Sequence, residues 1–216
     1  MKRSQQKKLY TIGIIAVTVL IVGLLTWYVL ASRSAAPQNT TTMSETMETG
    51  RFATLKGDEF DEAFLADMLA HHEGAINMAE MVGAGTERQE LRDFAQTIMT
   101  AQSSEIASMR QWQADWGFAA TAGGHGAHSG MAANDMAGEM MDMGESLAEL
   151  TGSAFEKRFL ELMTEHHQQA VEMARYAETN SNRSEIKTLA KNIIDAQNQE
   201  IDQMKRWLIE WGYTNA

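Results

Sequence analysis

The sequence predicts an all-α protein: a four-helix bundle made of two repeated helical hairpins, preceded by an N-terminal transmembrane helix. Three observations carry this. Residues 9–31 contain no charged side chain. Residues 60–117 and 155–212 align without a gap, with 21 of 58 positions identical. Within each copy, apolar residues recur at the three- and four-residue spacing that lines one helical face. Composition agrees. The 216 residues are 44% apolar, with one proline and no cysteine. That allows a packed core, argues against a loop-rich β protein, and excludes disulfides, zinc fingers, iron–sulfur ligation and thiol catalysis.

The chain opens on a basic stretch, residues 1–8, with Lys2, Arg3, Lys7 and Lys8. The uncharged residues 9–31 follow. As a helix they span roughly 34 Å at about 1.5 Å per residue, enough for a hydrocarbon core of about 30 Å. Signal-peptide apolar cores are shorter, roughly 7–15 residues. An uncleaved anchor is therefore favoured, with cleavage near Ala31-Ser32-Arg33 or Ser34-Ala35-Ala36 as the alternative. Positive charge stays in the cytoplasm, so everything after residue 32 is expected outside, in the periplasm or at the cell surface. Residues 32–51 are polar and read as a flexible tether. Beyond residue 51 there are 12 Lys and Arg against 27 Asp and Glu. That balance excludes a nucleic-acid partner, whose phosphates need clustered cations.

The two hairpins are assigned to residues 52–117 and 155–216. In the first, positions 60, 64, 68, 71, 75 and 78 share one face, and positions 91, 95, 98, 102, 105, 109, 112 and 116 another. Val82-Gly83-Ala84-Gly85-Thr86 and Thr179-Asn180-Ser181-Asn182 are expected to break the helices. Gly117 and Gly212 suit left-handed stops, with Phe118 and Tyr213 as the hydrophobic residues that follow. One hairpin cannot cover its own apolar face; two can. With the first turn centred between residues 86 and 87, His71 faces the level of Gln102, Met68 that of Glu105, and Phe64 that of Met109. The second copy repeats this with His166 and Gln197, Met163 and Glu200, and Phe159 and Met204. Trp112, Trp116, Trp207 and Trp211 are expected to pack the bundle end. Arg88 and Arg183 read as surface charges at helix starts.

Polar groups that interrupt an apolar stripe must pair with each other or hold something. The pattern Met-x-x-His-His-x-x-Ala-x-x-Met occurs at Met68, His71, His72 and Met78, and again at Met163, His166, His167 and Met173. Imidazole and thioether then lie on one helical face. Di-iron bundles place Glu-x-x-His there, because carboxylates suit harder ions. Thioether is soft and neutral and selects Cu(I); histidine extends the range to Cu(II). Copper is therefore the expected ligand, with Met109 and Met204 as further candidate donors. Gln102 and Glu105 are candidate partners that orient the imidazoles. The plainer reading of each is core filling by Met and internal hydrogen bonding by His.

The connection, residues 118–154, is rich in Gly, His and Met. His125, His128 and Met131 are candidate capture ligands within it; the plainer reading is a linker with a short amphipathic helix near 136–150.

The stretch Phe60-Asp61-Glu62-Ala63-Phe64-Leu65-Ala66-Asp67-Met68-Leu69-Ala70-His71-His72, its copy from Phe155, and Gln-x-x-Glu-Ile-x-x-Met-x-x-Trp at 102–112 and 197–207 resemble the "domain of unknown function 305" family. The resemblance covers about residues 52–213. It implies a ferritin-like four-helix bundle and, from the family's CopM-type members, a periplasmic or secreted copper-binding protein using the motif's His and Met. The family's first helix often has Pro just before the His pair, where this chain has Ala70 and Glu165. The expected function is therefore copper sequestration, tolerance or delivery, with copper-handling proteins as candidate partners. No catalysis is expected. The alternatives are a metal-free structural or protein-interaction bundle of the envelope and a ferritin-like metal oxidase.

Overall fold

A computed structural model describes residues 51–118, 138 and 143–214. All of these lie in the second of the two units into which the chain divides, Glu45–Ala216. The expected membrane segment, most of the tether and most of the connection fall outside the described residues. Among the described helices none is long and apolar enough to cross a membrane.

Every regular element among the described residues is helical. Helix α1 (Asp58–Glu80) continues through one further turn, α2 (Val82–Gly85), and is followed by α3 (Gln89–Trp116). The second copy gives α4 (Gly152–Arg175), α5 (Ala177–Asn180) and α6 (Ser184–Glu210). Each buried face follows the spacing of the sequence: Phe60, Phe64, Met68, His71, Ala75 and Met78 on α1, and Leu91, Ala95, Ile98, Gln102 and Met109 on α3. Both α1 and α4 run through their His pair unbroken. The ends also obey local rules. Gly117 and Gly212 take left-handed conformations at φ 73° and 75°. The N–H of Phe118 then donates to the Gln113 carbonyl and that of Tyr213 to the Leu208 carbonyl, closing orphan carbonyls of the last turn.

The turns come later than the sequence suggests. Residues 82–85 are helical despite two glycines, and the chain extends only from Thr86. The second break likewise starts at Ser181. Both positions carry a hydroxyl that accepts the N–H two residues on: Arg88 N to Thr86 Oγ1 and Arg183 N to Ser181 Oγ, each 3.0 Å. This local bond holds the extended corner before the next helix. Gly85 is needed because a Cβ there would lie 2.5 Å from the Phe155 ring.

The duplication is also longer than the identities of 60–117 and 155–212 indicate. Phe52 and Leu147 are both fully buried caps on the core, and Gly57 and Gly152, 95 residues apart, share positive φ of 60° and 59°. Ala53 and Leu55 recur as Ala148 and Leu150. The lead-in is tied down differently in the two copies. Asn180 donates to the Phe52 carbonyl, and Arg51 pairs with buried Asp67. Leu162 stands where the second copy would have that aspartate. Burial raises the Asp67 carboxyl to about 6 against the pull of Arg51.

Within each repeat the long helices are antiparallel neighbours, and α1 packs against α4. The α1 start meets the end of the second hairpin's first arm, where Gly57 N donates to the Asn180 carbonyl. The α4 start meets Gly85. Thus α1 and α4 are antiparallel, and the repeats are related by a pseudo-twofold. The arginines taken as surface charges lock this arrangement. Arg88 lies 4.0 Å from the Trp211 ring and bonds Glu156; Arg183 lies 4.2 Å from the Trp116 ring and pairs with Asp61 at 3.2 Å. Each arginine therefore stacks on a tryptophan of the other repeat. One stacked Trp pair sits at each bundle end: Trp112 with Trp116, and Trp207 with Trp211.

Two substitutions separate packing from propensity in α2. Gly85→Ala should destabilise by roughly 1–3 kcal/mol through collision with Phe155. Gly83→Ala, with no atom near its added methyl, should be neutral or stabilising by up to about 1 kcal/mol. Urea unfolding of the two variants beside the parent measures both.

Candidate metal centre

The later turn moves the hairpin register by about one helical turn. Glu105 meets His72, not the level of Met68: His72 Nε2 and Glu105 Oε2 are 2.7 Å apart. The second copy repeats the contact, with His167 Nε2 2.8 Å from Glu200 Oε2. A carboxylate only accepts, so each Nε2 donates to its glutamate. The same register brings Met68 level with Met109. Gln102 does not reach an imidazole; it is buried, and neither amide atom has a hydrogen-bond partner. Gln197 is buried too, with its Oε1 unpartnered.

The inner pair, His71 and His166, meets on the pseudo-twofold. Their ring centroids are 3.6 Å apart at 39°. One imidazole comes from each repeat, so the two copies contribute to a single central layer. All four histidines are fully buried. Six of their ring nitrogens lack a partner at hydrogen-bond geometry: both of His71, both of His166, and Nδ1 of His72 and His167. Burial drives His71 and His166 well below the ordinary histidine value, and the neighbouring imidazoles add to the shift. The Gln169 side chain acts weakly the other way on His71. The inner pair is therefore neutral. A neutral imidazole presents one donor and one lone pair, and unsatisfied buried polar groups cost about 1–3 kcal/mol each.

The sequence-predicted thioethers surround this layer in the same core. Met68, Met78, Met109, Met163 and Met204 are fully buried, and Met173 nearly so. His125, His128 and Met131 lie outside the described residues. Among the described residues there is no group of three or more His, Asp or Glu arranged to hold a metal ion. Imidazole and thioether are donors that fit a soft monovalent cation better than a hard one.

Comparison with known proteins now has a geometry to meet. The family model "Domain of unknown function (DUF305)" matches residues 26–113 and 61–208. The chain belongs to the DUF305 family. No curated protein sequence matches it. Among solved structures, CopM in the Cu(II)-bound form is 34% identical, with TM-score 0.58, over 73% of this chain and 99% of that one. CopM in the Cu(I)-bound form is also 34% identical, with TM-score 0.56, over 70% and 96%. A DUF305 protein of Streptomyces coelicolor, named as secreted, is 27% identical with TM-score 0.59 over 70% and 92%.

The sign of the acid response follows from the inner pair. With the folded values depressed below 6.5, the unfolded chain binds more protons below that pH. Metal-free protein should therefore lose stability as pH falls through and below about 6.5. The His71→Ala/His166→Ala variant should show a shallower loss between pH 7.5 and pH 5 in urea unfolding, whatever its absolute stability. An equal slope in both proteins would show that these rings are not held neutral.

Proposed function

We propose that this DUF305 protein is an extracytoplasmic copper-binding protein, holding chiefly Cu(I) for sequestration, tolerance or delivery. It is a binding protein and not an enzyme on this reading, and residues 9–31 tether it to the cytoplasmic membrane. The observation that carries the proposal is the central layer: four buried histidines, six ring nitrogens without a partner at hydrogen-bond geometry among the described residues, and thioethers on the same helical faces. The copper-bound forms of CopM support it at family level. The secreted designation of the Streptomyces coelicolor relative supports the location.

The roles divide by position. His71 and His166 offer lone pairs from both repeats at the centre. His72 and His167 offer Nδ1, with Glu105 and Glu200 accepting from Nε2. Met68 and Met163, one turn before the inner histidines, are the nearest thioethers along the helices. Because the inner imidazoles are already neutral, protons compete little for these nitrogens in mildly acid surroundings.

A metal-free interaction bundle is the second reading. It is favoured by the lack of a preassembled group of three His, Asp or Glu among the described residues. Titration of the full-length protein with Cu(I) against a chromophoric chelator separates the two. Tight stoichiometric binding, lost when His71, His72, His166 and His167 are all alanine while helicity is kept, is the expected result. Failure of the parent to compete for Cu(I) would leave the interaction bundle.

The connection is the subsidiary ligand set. His71→Ala with His166→Ala should weaken Cu(I) binding at least tenfold more than His125→Ala with His128→Ala. Equal losses in the same titration would reverse that hierarchy.

A further inference from the structure

A buried ligand layer needs a way in. A cleft of about 500 Å³ opens between α3 and α6, lined by Ser104, Glu105, Ser108 and Trp112 on one side and by residues 184–192 of α6 on the other. Glu105 is the side chain that joins it to the core. Its side chain is 23% exposed, yet it bonds that of His72, which is 0% exposed. Glu185 adds a second carboxylate to the lining, and the remaining polar groups are hydroxyls and one amide. The depression thus carries two carboxylates, one of which bonds a buried imidazole.

The pseudo-twofold supplies a comparison within the molecule. The equivalent face beside Glu200 carries bulkier groups at matched positions. Gln199, Gln203 and Gln89 stand for Ser104, Ser108 and Ser184, and Phe94 stands for Leu189. The Phe94 ring meets Trp207 edge-on at 5.2 Å, across the α3–α6 boundary. The two copies thus match at the histidines and their glutamates but differ in the space above them.

We infer that the α3–α6 cleft is the port through which a soft metal cation enters and leaves the histidine layer, with Glu105 as its last stop before His72. The inference rests on the copper-binding reading of the layer. Carboxylate is a poor partner for a soft ion, so Glu105 passes the cation on and does not retain it. Negative charge in the lining also concentrates cations in the cleft. A port alters the barrier and not the end states. Blocking it must therefore slow loading and release by the same factor and leave affinity unchanged.

The test uses full-length protein, Cu(I) and a chromophoric Cu(I) chelator in a stopped-flow instrument. The phase to be followed is the one that His71→Ala/His166→Ala removes. Ser108→Phe adds a ring at a half-exposed position in the cleft lining, where folding tolerates it. Loading and release should both slow at least tenfold, at unchanged affinity and stoichiometry. Gln203→Phe, the same change on the other copy, should leave both rates within twofold of the parent. Unchanged rates in Ser108→Phe would overturn the port, as would a fall in affinity, which would make the cleft part of the binding site. Equal slowing by Gln203→Phe would overturn its one-sidedness. Absence of the histidine-dependent phase from the parent would instead refute the copper-binding reading, and the port with it.

Discussion

Two imidazoles from different repeats lie with centroids 3.6 Å apart in a fully buried layer, and much of the arrangement follows from keeping both uncharged. Like charges about 4 Å apart repel by roughly 4 kcal/mol at an effective dielectric near 20. Burial adds a further penalty to either cation. The inner pair must therefore stay neutral. The outer pair solves a different problem. His72 and His167 each reach a glutamate whose side chain keeps some contact with solvent. That placement spares the glutamate side chain full desolvation while it accepts from the imidazole Nε2.

The inner contact is positioned from the bundle ends. Arg88 and Arg183 each stack on a tryptophan of the opposite repeat and pair with an acid on its first helix. The two clamps are not electrostatic copies. Burial alone would raise Glu156, but hydrogen bonds from Thr86, Tyr213 and Arg88 outweigh it and hold the carboxyl below its ordinary value. At Asp61 burial wins over Ser181 and Arg183, and the carboxyl is raised. Phe118 stands where the other clamp has the Tyr213 hydroxyl. One end of the bundle is thus held by an ionised network and the other by a more strained acid.

The helical content, the hairpins, their glycine stops and the buried His and Met stripes were legible because each rests on local rules: periodicity, capping and duplication. The register was not. It depended on where the turn falls, and Val82-Gly83-Ala84-Gly85 looked like a breaker. Packing against Phe155 outweighs the poor helix propensity of two glycines, so the helix runs one turn further and Glu105 moves to His72. The clamps were hidden for another reason. An arginine at a helix start carries no sequence mark of the tryptophan it will cover, because that contact belongs to the antiparallel pairing of repeats. The lead-in was missed because its core residue changes from Phe52 to Leu147; Gly57 and Gly152 were the available signal.

The two copies have diverged unevenly, and the pattern bears on function. They agree at both histidines, the flanking methionines, the orienting glutamate and the arginine–tryptophan clamp. They differ at Asp67 and Leu162, Phe94 and Leu189, and Phe118 and Tyr213. These three lie around the layer, whereas the matched pair Gly74 and Gln169 differs within it, the Gln169 side chain acting on His71. The histidines and flanking methionines are the part of the layer that both copies share. The surroundings are free to specialise, one side in the lead-in and one in access. Burial of the methionines fits the same logic. A thioether outside the cell is liable to sulfoxide formation, which would put a polar group into the core. Enclosing Met68, Met109, Met163 and Met204 completely shields their thioethers from oxidants in the solvent.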